Sequence, residues 1–266
     1  MKITPLTDEL IYNVIKIAKK AGTAIMDVYV SDFDIQIKDD RSPLTEADMR
    51  ANAIIIEGLK QVTPDAPVLS EEGRSIPFDE RSIWESYWLV DPLDGTKDFI
   101  NKNGEFTVNI ALIEDKTPVF GVVYAPAIDL LFWGSLENGA WKQEAHNPAQ
   151  AMRVADKIDE TVQIASSRSH PSDKMDTFLA QFNNFALHPI GSSLKICLVS
   201  DGSMHLYPRL GPTMEWDTAA AHAVLKYANG NLLDLETKVE MSYNRKNLKN
   251  SFFIANSKID LTDFLE

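Results

Sequence analysis

A chain of 266 residues with 44% apolar and 24% charged side chains has the composition of a globular protein, long enough to bury a substantial core as one large domain or two modest ones. Its net charge of −13 argues against a nucleic-acid polymer as partner, since such binding relies on many Lys and Arg, and no apolar run approaches the roughly 18 residues of a membrane span. With one cysteine, Cys197, and five scattered histidines there is neither a disulfide framework nor a soft-ligand zinc pattern, so any metal is expected to be a hard cation held by oxygen.

The start, MKITPLTDELIYN, lacks the basic opening, apolar middle and small-residue cleavage site of a secretory leader, which together with the single cysteine makes a reducing, cytoplasmic setting the expectation. In LTDELIYNVIKIAKKAGTAIMDVY, the apolar residues Leu10, Ile11, Val14, Ile15, Ala18, Ala21 and Ile25 recur at helical spacing and predict a long amphipathic helix. DIQIKDD alternates like a short strand. In SPLTEADMRANAIIIEGLKQV, Thr45 is the expected N-cap of a second helix ending near Thr63-Pro64, and Asp48, three residues on, sits well against the helix dipole.

Two short apolar runs follow, APVLSEEG and SYWLVDPLDGT, and each ends in paired acids beside Gly or Pro. FTVNIALIED, TPVFGVVYAPA, LLFWGSLE and GAWKQ are strand-like and separated by turn-length breaks, which predicts an antiparallel meander. AHNPAQAMRVADKIDE is the most loop-like stretch and the expected boundary between two sequence halves. In the second half TVQIASSRS, FALHPI and MHLYPRL read as extended, and SDKMDTFLAQF and SSLKICLVSDG as helical. TMEWDTAAAHAVLKYANG is a strong Ala-rich helix with Gly230 after its last periodic residue. NLLDL, VEMSY and SFFIANS close with short strands, giving a layered α+β protein.

VDPLDGTKDF concentrates chemistry where an apolar run stops. Asp91 is expected at or just beyond a strand end, because Pro92 cannot donate to a ladder and pairing should stop there. Gly95 permits a tight turn, and Thr96 or Asp94 is the expected cap of a short helix whose free N–H groups would face an anion. Two carboxylates beside an anion site repel the anion unless a cation lies between them, and magnesium suits oxygen ligands shared with phosphate. Taken alone, Asp-Pro and Asp-Gly are equally ordinary turn pairs. Glu71 and Glu72 also read as a solvated pair, and Asp217, in the first turn of the Ala-rich helix, also serves the dipole.

The ordered set EE, then DPLDGT about 20 residues on, then EWDTAA over 100 residues later resembles the signature of the inositol monophosphatase-like, lithium-sensitive phosphatase superfamily. The stretches DGTKDF, NGEFTVNIAL, SRSH, GSSLKICLVSDG and YPRLGPTMEWDTAA resemble its bacterial 3'(2'),5'-bisphosphate nucleotidase branch more closely, since inositol monophosphatases more often carry a second Thr where Lys97 stands. The resemblance implies an α+β fold, a layered αβαβα sandwich of the inositol monophosphatase/fructose-1,6-bisphosphatase type. It also implies a single phosphatase domain over residues 1–266, with subdomains of about 1–150 carrying the metal site and 151–266 on the substrate side.

By the same resemblance, Glu71, Asp91, the Leu93 carbonyl, Asp94 and Asp217 would hold two or three magnesium ions, Asp91 bridging a pair of them, while Glu72 would not be a ligand. Thr96 and Asp48 match the pair that orients and helps deprotonate the attacking water, with Glu71 counted beside them as catalytic. Glu71, Leu93, Asp94, Gly95, Thr96 and Asp217 would contact the phosphate, the backbone N–H groups of Gly95 and Thr96 holding its oxygens. His170, Ser192, Lys195 and Arg209 match positions that contact the nucleoside and a second phosphate, where cations are needed away from the metals.

The implied activity is removal of the 3'-phosphate of adenosine 3',5'-bisphosphate, a small-molecule nucleotide bisphosphate, in sulfate assimilation, and of the 3'-phosphate of the activated sulfate donor. An inositol monophosphatase or sugar-bisphosphate phosphatase is the alternative within the fold. A non-catalytic metal or nucleotide binder is the alternative of another class, and the competent side chain kept at every matched position speaks against it. The implied location is cytoplasmic, with at most a peripheral contact at the inner membrane face and no integral segment. No oligomeric state follows from the sequence.

Overall fold

A computed structural model of the chain describes residues 3, 6–31, 35–37, 43–168 and 173–260. The first amphipathic stretch is α1 (Asp8–Tyr29), capped by Thr7, whose hydroxyl accepts from Leu10 N at 3.1 Å. β1 (Ile35–Ile37) and β2 (Pro43–Thr45) pair antiparallel, and Thr45 then caps α2 (Glu46–Val62) as its sequence predicts. After β3 (Val68–Ser70) comes α3 (Phe78–Arg81), a single turn too short to show helical periodicity, then β4 (Ser86–Asp94) and α4 (Thr96–Ile100). The predicted meander forms as β5 (Thr107–Glu114), β6 (Thr117–Ala125), β7 (Leu130–Ser135) and β8 (Gly139–Glu144). The stretch expected to be loop contains one more strand, β9 (Gln150–Met152), which pairs with the edge of β8.

The second half supplies β10 (Val162–Ser167), α5 (Asp173–Leu179), β11 (Phe185–Ile190), α6 (Leu194–Ser200) and β12 (Leu206–Arg209). It closes with α7 (Glu215–Tyr227), β13 (Asn231–Asp234) and β14 (Phe253–Asn256). The expected strand in VEMSY does not form. Glu240 makes only an isolated bridge to Leu233, and Tyr243 N leaves to bond Lys116 O at 3.0 Å, across to the other sheet.

Two sheets result. One runs β3-β4-β5-β6-β7-β8-β9, with β3 and β4 parallel and the rest antiparallel; the other runs β11-β10-β12-β14-β13. α1 and α2 cover the outer face of the first sheet, α6 and α7 lie between the sheets, and α5 packs its Leu179 beyond the second, an αβαβα order. With both faces covered, central strands read as continuous apolar runs. In β4, Trp88 and Val90 face α1 and α2, while Tyr87 and Leu89 face α6 and α7. Strand alternation therefore sends Asp91 to the same side as Leu89, the side that α7 covers. Among the described residues no helix is long and apolar enough to cross a membrane.

The Ala-rich sequence of α7 has a packing reason as well as a propensity reason. Ala219, Ala220, Ala221 and Ala223 are buried, and the helix lies so close to β6 that a Cβ on Gly121 would sit 2.2 Å from the Ala220 carbonyl oxygen. Backbone cannot yield there as the end of a flexible side chain can. Gly121→Ala is therefore expected to cost about 1–3 kcal/mol or more of unfolding free energy by denaturant titration; an unchanged midpoint would show that α7 does not approach β6 this closely.

Candidate active site

The end of β4 is bent rather than broken. Asp91 pairs with Asn109 and Asp94 with Thr107, so one extra residue is accommodated around Pro92 as a bulge, and pairing resumes at Asp94 instead of stopping at the proline as expected. Asp91 turns back on the bulge, its Oδ1 accepting from Leu93 N at 3.0 Å. The expected side-chain cap of the next helix is also absent. The N-cap of α4 is Gly95 at φ +92°, a left-handed conformation that favours glycine. Thr96 and Asp94 are engaged elsewhere: Asp94 Oδ2 accepts from Ser193 Oγ at 2.6 Å, while Thr96 Oγ1 lies 3.4 Å from Leu93 O and 3.5 Å from Asp48 Oδ1.

Three elements bring acids together at this bend. β3 is the parallel neighbour of β4, so Glu71 leaves beside Asp91, with Glu71 N donating to Val90 O at 3.1 Å. α7 brings its first turn to the same strand end, where Asp217 Oδ2 accepts from Met214 N at 2.8 Å. Ligand atoms of Glu71, Asp91 and Asp217 all lie within 4.8 Å of one another. Burial, then the charges of Glu71, Asp94 and Asp217, push the Asp91 carboxyl well above the usual carboxylate range. Burial, then Asp94 and Glu71, do the same to Asp217. Asp94 is raised by burial, with Lys195 and the Ser193 hydroxyl pulling the other way. Buried like charges at this spacing are costly unless a cation offsets them, and an all-oxygen set of carboxylates suits a hard divalent ion such as magnesium.

Asp48 serves two structures at once. Its Oδ2 accepts from Thr45 N at 2.8 Å and Thr45 Oγ1 at 2.7 Å, completing the predicted capping box of α2, and its Oδ1 faces Thr96. The helix-start role and a role at the site are thus compatible, one carboxylate oxygen each.

Beside the acids opens a cavity of about 290 Å³ whose wall includes Thr96, Ser192, Lys195, Arg209 and Asp217. Lys195, which as a helix residue would ordinarily be solvated, is 6% exposed. Its Nζ donates to Ser192 O at 2.6 Å and Ile190 O at 3.2 Å, and burial, opposed by Asp94, brings its pKa down to about 8. Arg209 donates from Nη2 to Pro212 O at 2.9 Å, while its buried Nε has no protein partner among the described residues. Ser192 adopts φ +46°, a conformation uncommon for residues other than glycine. His170 lies outside the described residues.

Residues the motifs passed over also shape the site. Asn109 Nδ2 donates to Ser193 Oγ at 2.7 Å, so Asp94 is held through Ser193 by a strand on the far side of the bulge. The signal was available, for Asn109 is a polar residue inside the apolar run TVNIALI. Arg168, on the cavity wall, is held by Glu105 at 2.8 Å, and Glu105 in turn accepts from Gly191 N at 2.6 Å.

Residues 6–263 match the model of the inositol monophosphatase family. The chain is 47% identical over 231 residues to the 3'(2'),5'-bisphosphate nucleotidase CysQ of Salmonella typhimurium, covering 86% of this chain and 92% of that one. The crystal structure of CysQ from Bacteroides thetaiotaomicron, a bacterial member of the same family, superimposes with a TM-score of 0.83 at 37% identity, over 94% of this chain and 97% of that one. An IMPase from Thermotoga maritima shares the fold at a TM-score of 0.77 and 22% identity, over 97% and 94% of the two chains.

The acid cluster makes a sign-specific prediction for the metal-free protein. Asp91 and Asp217 keep their protons to higher pH when folded than when unfolded. Above the unfolded carboxylate range, about pH 4, the native state then binds more protons, and stability falls as pH rises toward the raised native values. Asp91→Asn retains an acceptor for Leu93 N and removes one charge. In chelator at pH 8 the variant is expected to melt above the wild type, with the gap narrowing toward pH 5; a lower melting temperature at pH 8 would contradict the repulsion.

Proposed function

Because this chain belongs to the inositol monophosphatase family, we propose that it is a magnesium-dependent 3'(2'),5'-bisphosphate nucleotidase. It hydrolyses the 3'-phosphate of adenosine 3',5'-bisphosphate to AMP and phosphate, and converts 3'-phosphoadenylyl sulfate to adenylyl sulfate in the same way, in sulfate assimilation. The observation that carries this reading is the polarity of one cavity: Asp217 on its wall belongs to the acid cluster with Glu71 and Asp91, and two buried cations, Lys195 and Arg209, line the same wall. A substrate with a single phosphate would leave those cations without an anion, whereas a nucleotide bisphosphate supplies one. Its setting is the cytoplasm, consistent with the single, buried, unpaired thiol of Cys197.

Glu71, Asp91, the Leu93 carbonyl, Asp94 and Asp217 are the proposed ligands of two or three magnesium ions. Bound there, magnesium lowers the pKa of an attacking water and neutralises the leaving oxygen. The protein's own groups do the rest. Thr96 Oγ1 accepts from the water and passes its own proton toward Asp48 Oδ1, a direction kept open because Asp48 Oδ2 is already occupied by Thr45. Both contacts tighten once water and substrate are in place, as apo geometries at catalytic sites are often long. Glu71 shares in catalysis by holding the water's side of the cluster. The Gly95 and Thr96 backbone N–H groups receive the scissile phosphate, while Ser192, Lys195, Arg209 and His170 receive the nucleoside and its second phosphate.

The test is phosphate release from adenosine 3',5'-bisphosphate, inositol 1-phosphate and fructose 1,6-bisphosphate. Preference for the nucleotide is expected, with inhibition by lithium. Preference for inositol phosphate would move the assignment within the fold, and tight nucleotide binding without turnover would make the protein a binder. Thr96→Val should lower kcat by about 10²–10⁴-fold with little change in KM; an unaffected kcat would remove Thr96 and Asp48 from the proton path.

A further inference from the structure

Asp217 stands in the first turn of α7, and a strap of chain, residues 244–250, lies across that turn. Glu215 N donates to Leu248 O and Asn250 N to Thr213 O, both at 2.8 Å, with an isolated bridge between Met214 and Lys249. The hub of the strap is the Asn250 side chain, 5% exposed. Its Nδ2 lies 2.7 Å from Met214 O, 3.1 Å from Thr213 Oγ1 and 3.2 Å from Thr218 Oγ1, and its Oδ1 accepts from Arg245 Nη2 at 2.6 Å. Arg245 Nε continues to the buried Glu215 carboxylate at 3.1 Å.

Met214 is where this clamp meets the acid cluster. Its N–H donates to Asp217 Oδ2 at 2.8 Å, and its carbonyl accepts both Asp217 N at 3.2 Å and Asn250 Nδ2 at 2.7 Å. One Asp217 oxygen is therefore fixed by the N–H of a residue whose carbonyl the Asn250 side chain holds. The neighbouring carboxylates Glu71 and Asp91 repel Asp217, so a turn without this clamp would relax away from them. We propose that Asn250 is a positioning residue for the metal site, holding the Thr213–Asp217 turn so that Asp217 stays within reach of the cation shared with Glu71 and Asp91. This rests on the reading of that cluster as a magnesium site. Groups that orient metal ligands from behind typically carry about 10–100-fold of metal affinity.

The test titrates magnesium alone into chelator-stripped protein by calorimetry and follows the melting temperature of the same samples. Asn250→Ala is expected to raise the magnesium Kd about tenfold or more, while KM for the nucleotide at saturating magnesium changes by less than about twofold. Ser86→Ala is the control for plain destabilisation. Ser86 is also buried and hydrogen-bonded, but its Oγ donates to Glu114 Oε1 at 2.9 Å at the start of β4, the end of the strand away from Asp91, so its loss should lower the melting temperature and leave magnesium Kd unchanged. If the alanine variant does not fold, Asn250→Leu, which keeps the volume and removes the donors, is expected to show the same rise in Kd. A variant of Asn250 that melts lower yet binds magnesium as the wild type does would overturn the proposal. Failure of the wild-type protein to bind magnesium would overturn the metal reading, and this inference with it.

Discussion

The rest of the site depends on mutual repulsion among carboxylates gathered around the buried Asp91. Glu71, Asp91 and Asp217 come from three different elements and are held within 4.8 Å, with Asp94 close enough to raise Asp91 further. Such an arrangement does not stabilise the fold by itself. It persists because each acid is tied down from outside the cluster: Glu71 through its own backbone on β4, Asp91 by the bulge, Asp94 by Ser193 and Asp217 by Met214. The packing that surrounds the site, including the glycine-permitted approach of α7 to β6, makes that restraint stiff.

Two of the acids are held by the same device. Asp48 and Asp217 are each the third residue of a helix, and each gives Oδ2 to the backbone N–H of the residue before the helix, at 2.8 Å in both cases. One oxygen is thus fixed against the helix start, and the carboxylate plane is set for the other. A carboxylate at a helix start serves the dipole in any protein. Here the helix starts are aimed at one strand end, so the stabilising role and the proposed chemical role share a side chain.

Much of this was legible in the order of residues. Apolar periodicity predicted α1, the Thr45 cap with Asp48 predicted α2, and Ala-rich propensity with Gly230 predicted α7; the YWLV run predicted a buried strand ending in Asp91, and alternation along it gives the face that Asp91 takes. Three things were not legible, each for a physical reason. The bulge at Pro92 depends on how β5 pairs opposite, which no local pattern in β4 reports. Lys195 and Arg209 matched substrate contacts, but their burial is not written in the sequence, because long charged side chains are usually solvated and only tertiary packing buries these two. The strap through Asn250 joins residues far apart in sequence by polar contacts, which carry no periodicity.

The central question at this site is whether a divalent cation is the partner of the repelling acids. The most direct measurement is a crystal structure of the protein with manganese in place of magnesium, read by anomalous scattering at the manganese edge. A peak bounded by the carboxylates of Glu71, Asp91 and Asp217 is the predicted result. Manganese elsewhere on the surface, with that cluster empty of anomalous signal and its carboxyls paired through shared protons, would contradict the account.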